Sequence, residues 1–249
     1  MNKPVILTTY FSQKKHPNDP SDSAVIGRDK DGRVLQNNFE YIKNWYNSVV
    51  SLQLEARVFY DNLSDEFLRT YETDKIKFIF AAPSDYSNND WRFFVYKKYL
   101  LANKFDSVFL TDGSDVTVVK DPSQILTDFP NIDYFICKDS IKLAEFPYLW
   151  IHRDLKWDNL QGLTEKAKEL DLINMGVIGG SYSNMLEFLK TFCQTREDMK
   201  YEYFNADMWV GQYVFRHLLS GKNLLIGEPF TSNFKKYETD RQDVYFIHK

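Results

Sequence analysis

The chain has 249 residues, 35 acidic and 31 basic, a formal net charge of −4, and 16% aromatic content. That balance argues against nucleic-acid or anionic-membrane binding through the overall field, and the length suits one α/β domain that buries roughly three quarters of its unfolded surface. Two cysteines, Cys137 and Cys193, make no disulfide framework, Met1-Asn2-Lys3-Pro4 opens too short an apolar stretch for a signal peptide, and no window approaches the roughly 18 apolar residues of a membrane span, so a cytoplasmic chain is expected.

Val5-Ile6-Leu7-Thr8-Thr9-Tyr10 is short and β-branched and predicts a buried first strand. Ser12 to Asn38 is polar and holds Pro17, Pro20, Gly27 and Gly32, which marks it as disordered or as a flap over a site. Phe39, Ile42, Trp45, Tyr46, Val49 and Val50 recur at helical spacing and predict an amphipathic helix from Phe39 to Leu52. Arg57-Val58-Phe59-Tyr60 and Lys77-Phe78-Ile79-Phe80 read as strands, with a short helix near Glu66 between them. Asp90 is expected to cap a helix running to Asn103, and Ser107-Val108-Phe109-Leu110 follows as a fourth strand.

This alternation implies a largely parallel sheet with helices on both faces. Ligands of such sheets bind outside the carboxyl ends of the strands, so Thr8 to Phe11 and Thr111 to Asp115 should share one rim. Further on, Ile132 to Cys137 and Ile173 to Gly179 read as strands. Met185, Phe188, Leu189, Phe192 and Cys193 form one helix face, and Val210, Tyr213, Val214 and Leu218 suggest a last helix. No linker divides the chain, and one domain over residues 1–249 is expected.

The densest chemical signal is Thr111-Asp112-Gly113-Ser114-Asp115 directly after the fourth strand. Close carboxylates repel unless a cation lies between them, and Mg²⁺ or Mn²⁺ would neutralise the pair and bring a diphosphate with it. Asp, Gly and Ser are also ordinary turn residues; the position at a strand's carboxyl end is what favours a site.

With this turn the sequence resembles the GT-A-fold nucleotide-sugar glycosyltransferases, most nearly the glycogenin-like ones. Their Asp-x-Asp motif holds Mn²⁺ against the donor diphosphate; here Asp112-Gly113-Ser114-Asp115 is one residue wider. Trp91-Arg92-Phe93-Phe94 is similar to the family's Arg-bearing helix, Asn174-Met175-Gly176-Val177-Ile178-Gly179-Gly180 to its sugar-pocket segment, and His248-Lys249 to its C-terminal metal-binding His and phosphate-binding Lys. Asn205-Ala206-Asp207-Met208 resembles the Asp-rich segment that faces the reacting carbon, although Asn205 is equally read as a helix cap.

The resemblance implies one GT-A-type, Rossmann-like domain with a mixed, mostly parallel sheet, residues 1–120 forming the nucleotide-binding half and 121–249 the acceptor and sugar half. It implies metal ligands Asp112, Asp115 and His248, catalytic roles for Asp207 and Arg92, and donor contacts from Thr8, Thr9, Tyr10, Arg92, Asn174, Gly176, Gly179, Gly180 and Lys249. Tyr10 and Phe11 would stack on a uracil or extend the core. His152 and His217 read as structural, and His16 lies in the polar loop.

The expected activity is Mn²⁺- or Mg²⁺-dependent hexosyl or deoxyhexosyl transfer from a UDP-sugar to a glycan or other hydroxyl acceptor. Retention of configuration is implied by the resemblance alone. The alternatives are a nucleotidyltransferase acting on sugar phosphates, which would carry a Gly-rich signature after the first strand, and a non-catalytic carbohydrate-binding module. No dinucleotide fingerprint, Gly-x-x-x-x-Gly-Lys-Ser/Thr loop, nucleophile elbow or zinc-spaced Cys/His set is present.

Overall fold

A computed structural model of the chain describes residues 4–15, 29, 33–146, 166–199 and 205–249. Most of the polar segment from Ser12 to Asn38, with His16, lies outside them, as does His152.

The four apolar runs of the first half are β1 (Pro4–Tyr10), β2 (Ala56–Tyr60), β3 (Ile76–Phe80) and β4 (Ser107–Thr111). They alternate with α1 (Lys43–Ser51), α2 (Asp65–Tyr71) and α3 (Asn88–Ala102). The second half supplies β5 (Val116–Val118), α4 (Gln124–Asp128), β6 (Tyr134–Lys142), β7 (Asp171–Ser181), α5 (Tyr182–Asp198), α6 (Asp207–Tyr213), β8 (Leu224–Ile226) and β9 (Phe246–His248). Seven strands form one sheet in the order β3-β2-β1-β4-β7-β6-β8. Only β7 runs against the others, pairing antiparallel with both β4 and β6. The architecture is therefore α/β with a mostly parallel, mixed sheet, as the order of elements predicts.

Alternation along β1 sends Val5 and Leu7 to one face and Ile6 and Tyr10 to the other. The first face packs under α3, α5 and α6 through Phe93, Phe188, Phe192 and Trp209. The second is covered by Trp45 and Val49 of α1, Phe67 of α2, and Phe230 and Phe246 from the C-terminal segment. No helix among the described residues is long and apolar enough to cross a membrane.

Three local details differ from expectation. The helix predicted from Phe39 begins as a 3₁₀ turn, Phe39–Tyr41, capped by Asn38, and α1 starts only at Lys43. Ser87, not Asp90, caps α3: its Oγ accepts from the Asp90 N–H at 3.1 Å. Asp90 lies one turn inside and is fully buried, taking Arg196 Nε at 3.0 Å. Asn205 does not cap α6 either; its Oδ1 accepts from Ser87 Oγ at 3.0 Å, and α6 continues into a π-helical turn, Val214–Leu218.

Two features shape the rim. Between β6 and β7 the register jumps from Ile136 opposite Ile178 to Cys137 opposite Asn174, so Met175, Gly176 and Val177 bulge out of that ladder. On its other side β7 stays in register with β4, Thr111 opposite Val177. In addition, β5 and β9 form a two-stranded antiparallel ribbon that places His248 opposite Val116.

Candidate metal centre at the rim of the sheet

β1 and β4 are parallel neighbours, so their carboxyl ends emerge side by side. Thr111 is locked there by Trp45 Nε1, which donates to its Oγ1 at 2.9 Å. The chain then turns across the end of β1: a Cβ on Gly113 would lie 3.1 Å from Thr8 Oγ1 and 3.2 Å from the Thr9 carbonyl oxygen. Asp112 is tied to the bulge by its N–H, which donates to the Gly176 carbonyl at 2.7 Å. The expected shared rim is present.

The ribbon brings the far end of the chain to this turn. Lys249 N–H donates to the Asp115 carbonyl at 3.0 Å, and His248 is held through its N–H to Ser232 Oγ at 2.9 Å. His248 Nε2 then lies 3.7 Å from Asp112 Oδ2 and 3.6 Å from Asp115 Oδ2. One candidate ligand atom from each of Asp112, Asp115 and His248 falls within 4.8 Å of the others. Both carboxylates are partly exposed, whereas His248 is fully buried.

Two further observations fit a divalent cation. Asp115 Oδ1 and His248 Nε2 are buried without a hydrogen-bond partner, so each offers a free lone pair or a proton that nothing else takes up. Gly176 also lets two of the three candidate ligands close in over the bulge: a Cβ there would sit 2.2 Å from His248 Cε1 and 2.7 Å from Asp112 Oδ2. A carboxylate, carboxylate and imidazole set suits Mn²⁺ well and Mg²⁺ less well.

Charge among these side chains is balanced by protons and by arginine. Burial opposes a charge on His248, but Cys137 and Asp115 on either side outweigh it and push its pKa up to about 10. Burial would raise Asp115, yet the His248 imidazolium holds it below the ordinary carboxylate range. Arg92, on α3, is paired with Asp112 and places Nη2 3.1 Å from Asp207 Oδ2 and 3.2 Å from the Met175 carbonyl oxygen. Asp207 opens α6 and is almost fully buried; burial lifts its pKa, against the pull of Arg92. Arg92 thus stands between the acidic turn and Asp207, and Asp207 is outside the three-residue cluster.

The remaining candidates are placed unevenly. Asn174 holds the bulge: its Oδ1 accepts from the Gly176 N–H at 2.7 Å and its Nδ2 donates to Asp139 Oδ2 at 3.3 Å. Thr8 is buried under the acidic turn, Thr9 is partly exposed beside it, and Lys249 is partly exposed, anchored through its backbone. Tyr10 and Phe11 belong to the core, the second of the two readings, so Tyr10 is not placed to contact a donor. The Tyr10 ring is fully buried against Tyr41 and Phe67, and its hydroxyl donates to the Leu35 carbonyl at 2.6 Å. Gly179 and Gly180 likewise have packing reasons rather than an approach to a ligand: added Cβ atoms would meet the Phe109 ring at 2.3 Å and the Asp133 carbonyl oxygen at 2.8 Å. His217 packs on the Tyr213 ring.

Sequence reasoning did not single out Cys137 or Asp139, which back His248 and Asn174. Both lie inside β6, just past the apolar run Tyr134-Phe135-Ile136, where no turn residue marks them as Asp112 is marked. It also missed the buried Asp90–Arg196 pair, which takes the Ala206 N–H at 3.2 Å and so fixes the start of α6. No protein-family model matches this sequence, and no curated protein matches it.

Proposed function

We propose that this protein is a metal-dependent glycosyltransferase that moves one hexosyl or deoxyhexosyl group, with retention, from a nucleotide diphosphate donor, UDP-sugar first, to a hydroxyl of a glycan or other acceptor. The observation that carries the reading is the convergence of Asp112, Asp115 and His248 at the carboxyl rim of a mostly parallel sheet. Asp112, Asp115 and His248 would hold Mn²⁺ or Mg²⁺, which when bound supplies Lewis-acid stabilisation of the departing diphosphate.

The chain's own residues account for the rest. Arg92 is a fixed guanidinium beside Asp112, oriented by Met175 and Asp207 before any ligand arrives, so no reorganisation is needed to meet negative charge developing there. Asp207 lies on the opposite side of that guanidinium, in a buried place that makes its carboxylate a better proton acceptor than an exposed one. It would take the acceptor hydroxyl's proton or stabilise positive charge at the anomeric carbon. Asn174, held by Asp139, fixes the bulge on which Gly176 lets His248 and Asp112 approach closely. Lys249, whose backbone is tied to Asp115, would meet phosphate.

UDP release from a panel of UDP-sugars tests this, with Mn²⁺ or with chelator, in wild type and Asp115→Ala. The expected outcome is loss of turnover in chelator and in the variant; full activity of the variant in chelator overturns the metal assignment. Calorimetry separates the other classes. Mn²⁺-strengthened UDP binding fits the transferase, whereas sugar binding indifferent to UDP and Mn²⁺ fits a binding module.

A further inference from the structure

We infer that Cys137 is a positioning residue for the metal centre, accepting a hydrogen bond from the Nδ1–H of His248 so that Nε2 is presented to the cation as a bare lone pair. The inference rests on the metal-site part of the reading above and not on glycosyl transfer.

Cys137 follows the irregularity that ends the first stretch of β6, and its side chain is fully buried behind the imidazole. Its Sγ is 3.2 Å from His248 Nδ1 and 3.5 Å from the Lys138 carbonyl oxygen. The opposite ring nitrogen, Nε2, points between Asp112 and Asp115 and has no hydrogen-bond partner. Ser232 fixes the His248 backbone from both sides, its Oγ receiving the N–H at 2.9 Å and donating to the carbonyl at 3.3 Å. Phe234 lies against the ring with centroids 4.3 Å apart. The ring is therefore fixed in place and direction, and the partner of Nδ1 decides which nitrogen carries the proton.

A neutral imidazole that ligates through Nε2 carries its one proton on Nδ1. The sulfur accepts a hydrogen bond from that N–H, while the thiol S–H donates to the Lys138 carbonyl. Donors and acceptors then run in one direction, from imidazole to thiol to carbonyl.

Histidine ligands more often donate to a carboxylate or a carbonyl. A carboxylate in the place of Cys137 would add a further negative charge beside Asp112 and Asp115.

Mn²⁺ binding, read from the free-ion electron paramagnetic resonance signal, tests this in wild type, Cys137→Ala, Cys137→Ser and His248→Ala. Cys137→Ala should weaken Mn²⁺ binding by about tenfold or more, the usual cost of losing such an outer partner, and Cys137→Ser should restore it to within about threefold. In parallel, nitrogen-15 NMR of the Mg²⁺-loaded wild type should find the His248 proton on Nδ1. Wild-type Mn²⁺ affinity in Cys137→Ala overturns the inference while the metal site stands, and a proton on Nε2 in the Mg²⁺-loaded protein takes His248 out of the ligand set and the inference with it. Wild type that takes up no Mn²⁺ overturns the metal site itself and the inference with it. The NMR measurement needs no variant, so the test survives misfolding of Cys137→Ala.

Discussion

Gly176→Ala is the sharpest single perturbation of this site. The added methyl would start 2.2 Å from His248 Cε1, 2.7 Å from Asp112 Oδ2 and 2.8 Å from His248 Nε2. Ordinary van der Waals contact begins at 3.4 Å, so the imidazole would have to recede by about 1.2 Å, the difference between 3.4 Å and 2.2 Å. Metal–ligand distances tolerate only about 0.2 Å, so such a shift takes Nε2 out of a shared coordination sphere. Nor can the ring yield easily, since Cys137, Ser232 and Phe234 hold it from behind. Forcing a methyl into a packed position costs about 1–3 kcal/mol, and a chain of this size loses roughly 2–4 °C of melting temperature per kcal/mol. The assay is a Mn²⁺ titration with a chelator-treated thermal melt, run beside two other glycines. A Cβ on Gly113 would meet Thr8 Oγ1 at 3.1 Å, and one on Gly221 would meet nothing within 4 Å. The expected order of damage is therefore Gly176→Ala, then Gly113→Ala, with Gly221→Ala neutral. Wild-type Mn²⁺ affinity and melting temperature in Gly176→Ala would refute the reasoning.

Four other outcomes follow from the site's contacts and charges. Arg92→Ala leaves the buried Asp207 without its cation and should destabilise the fold by about 3 kcal/mol, read by urea unfolding; Arg92→Lys should recover only part, because one ammonium cannot reach Asp112 and Asp207 together. Because His248 holds its proton up to about pH 10 in the metal-free protein, the cation must displace it: Mn²⁺ affinity should climb about tenfold per pH unit between pH 7 and 9, with about one proton released per ion. By the same shift, the stability that this proton lends the metal-free fold is complete below about pH 6.5 and is lost as pH rises through about 10; a pH-independent Mn²⁺ affinity would refute the assignment of His248. Cys137 and Cys193 are both fully buried, and burial pushes the Cys193 thiol up to about 12, so Ellman's reagent should react with neither until the protein is unfolded.

The strands and helices of the first half were legible because their signals are local: β-branched runs, helical spacing and turn residues at each boundary. The rim was legible for a topological reason, as parallel neighbours end on the same side. Caps were read less well. Ser87 and Asp90 are both good capping residues three positions apart, and only the burial of Arg196 against Asp90 decides between them. The second half hid more, because its strands are set by long-range pairing. β8 is three partly buried residues that exist as a strand only alongside Tyr134–Ile136. Tyr10 shows the limit of reasoning by position: it ends a strand at the expected rim, yet strand alternation turns its ring into the core. Asp112 and Asp115 were readable as a pair, whereas the thiol behind His248 required knowing that residue 137 and residue 248 meet.

The ribbon of β5 and β9 gives the site a role in holding the chain together. Asp115 lies 133 positions before His248, so an ion shared between them would act as a removable crosslink across more than half of the chain. An ion that binds only the folded form adds about 2.7 kcal/mol of stability at a hundred times its dissociation constant. That gain would fall on the last strand before it fell on the sheet, because β9 has three residues and a single full partner strand. Chelation should therefore loosen the C-terminal ribbon first, and amide hydrogen exchange at Phe246, Ile247 and His248 would report the loss while β1 and β4 stayed protected.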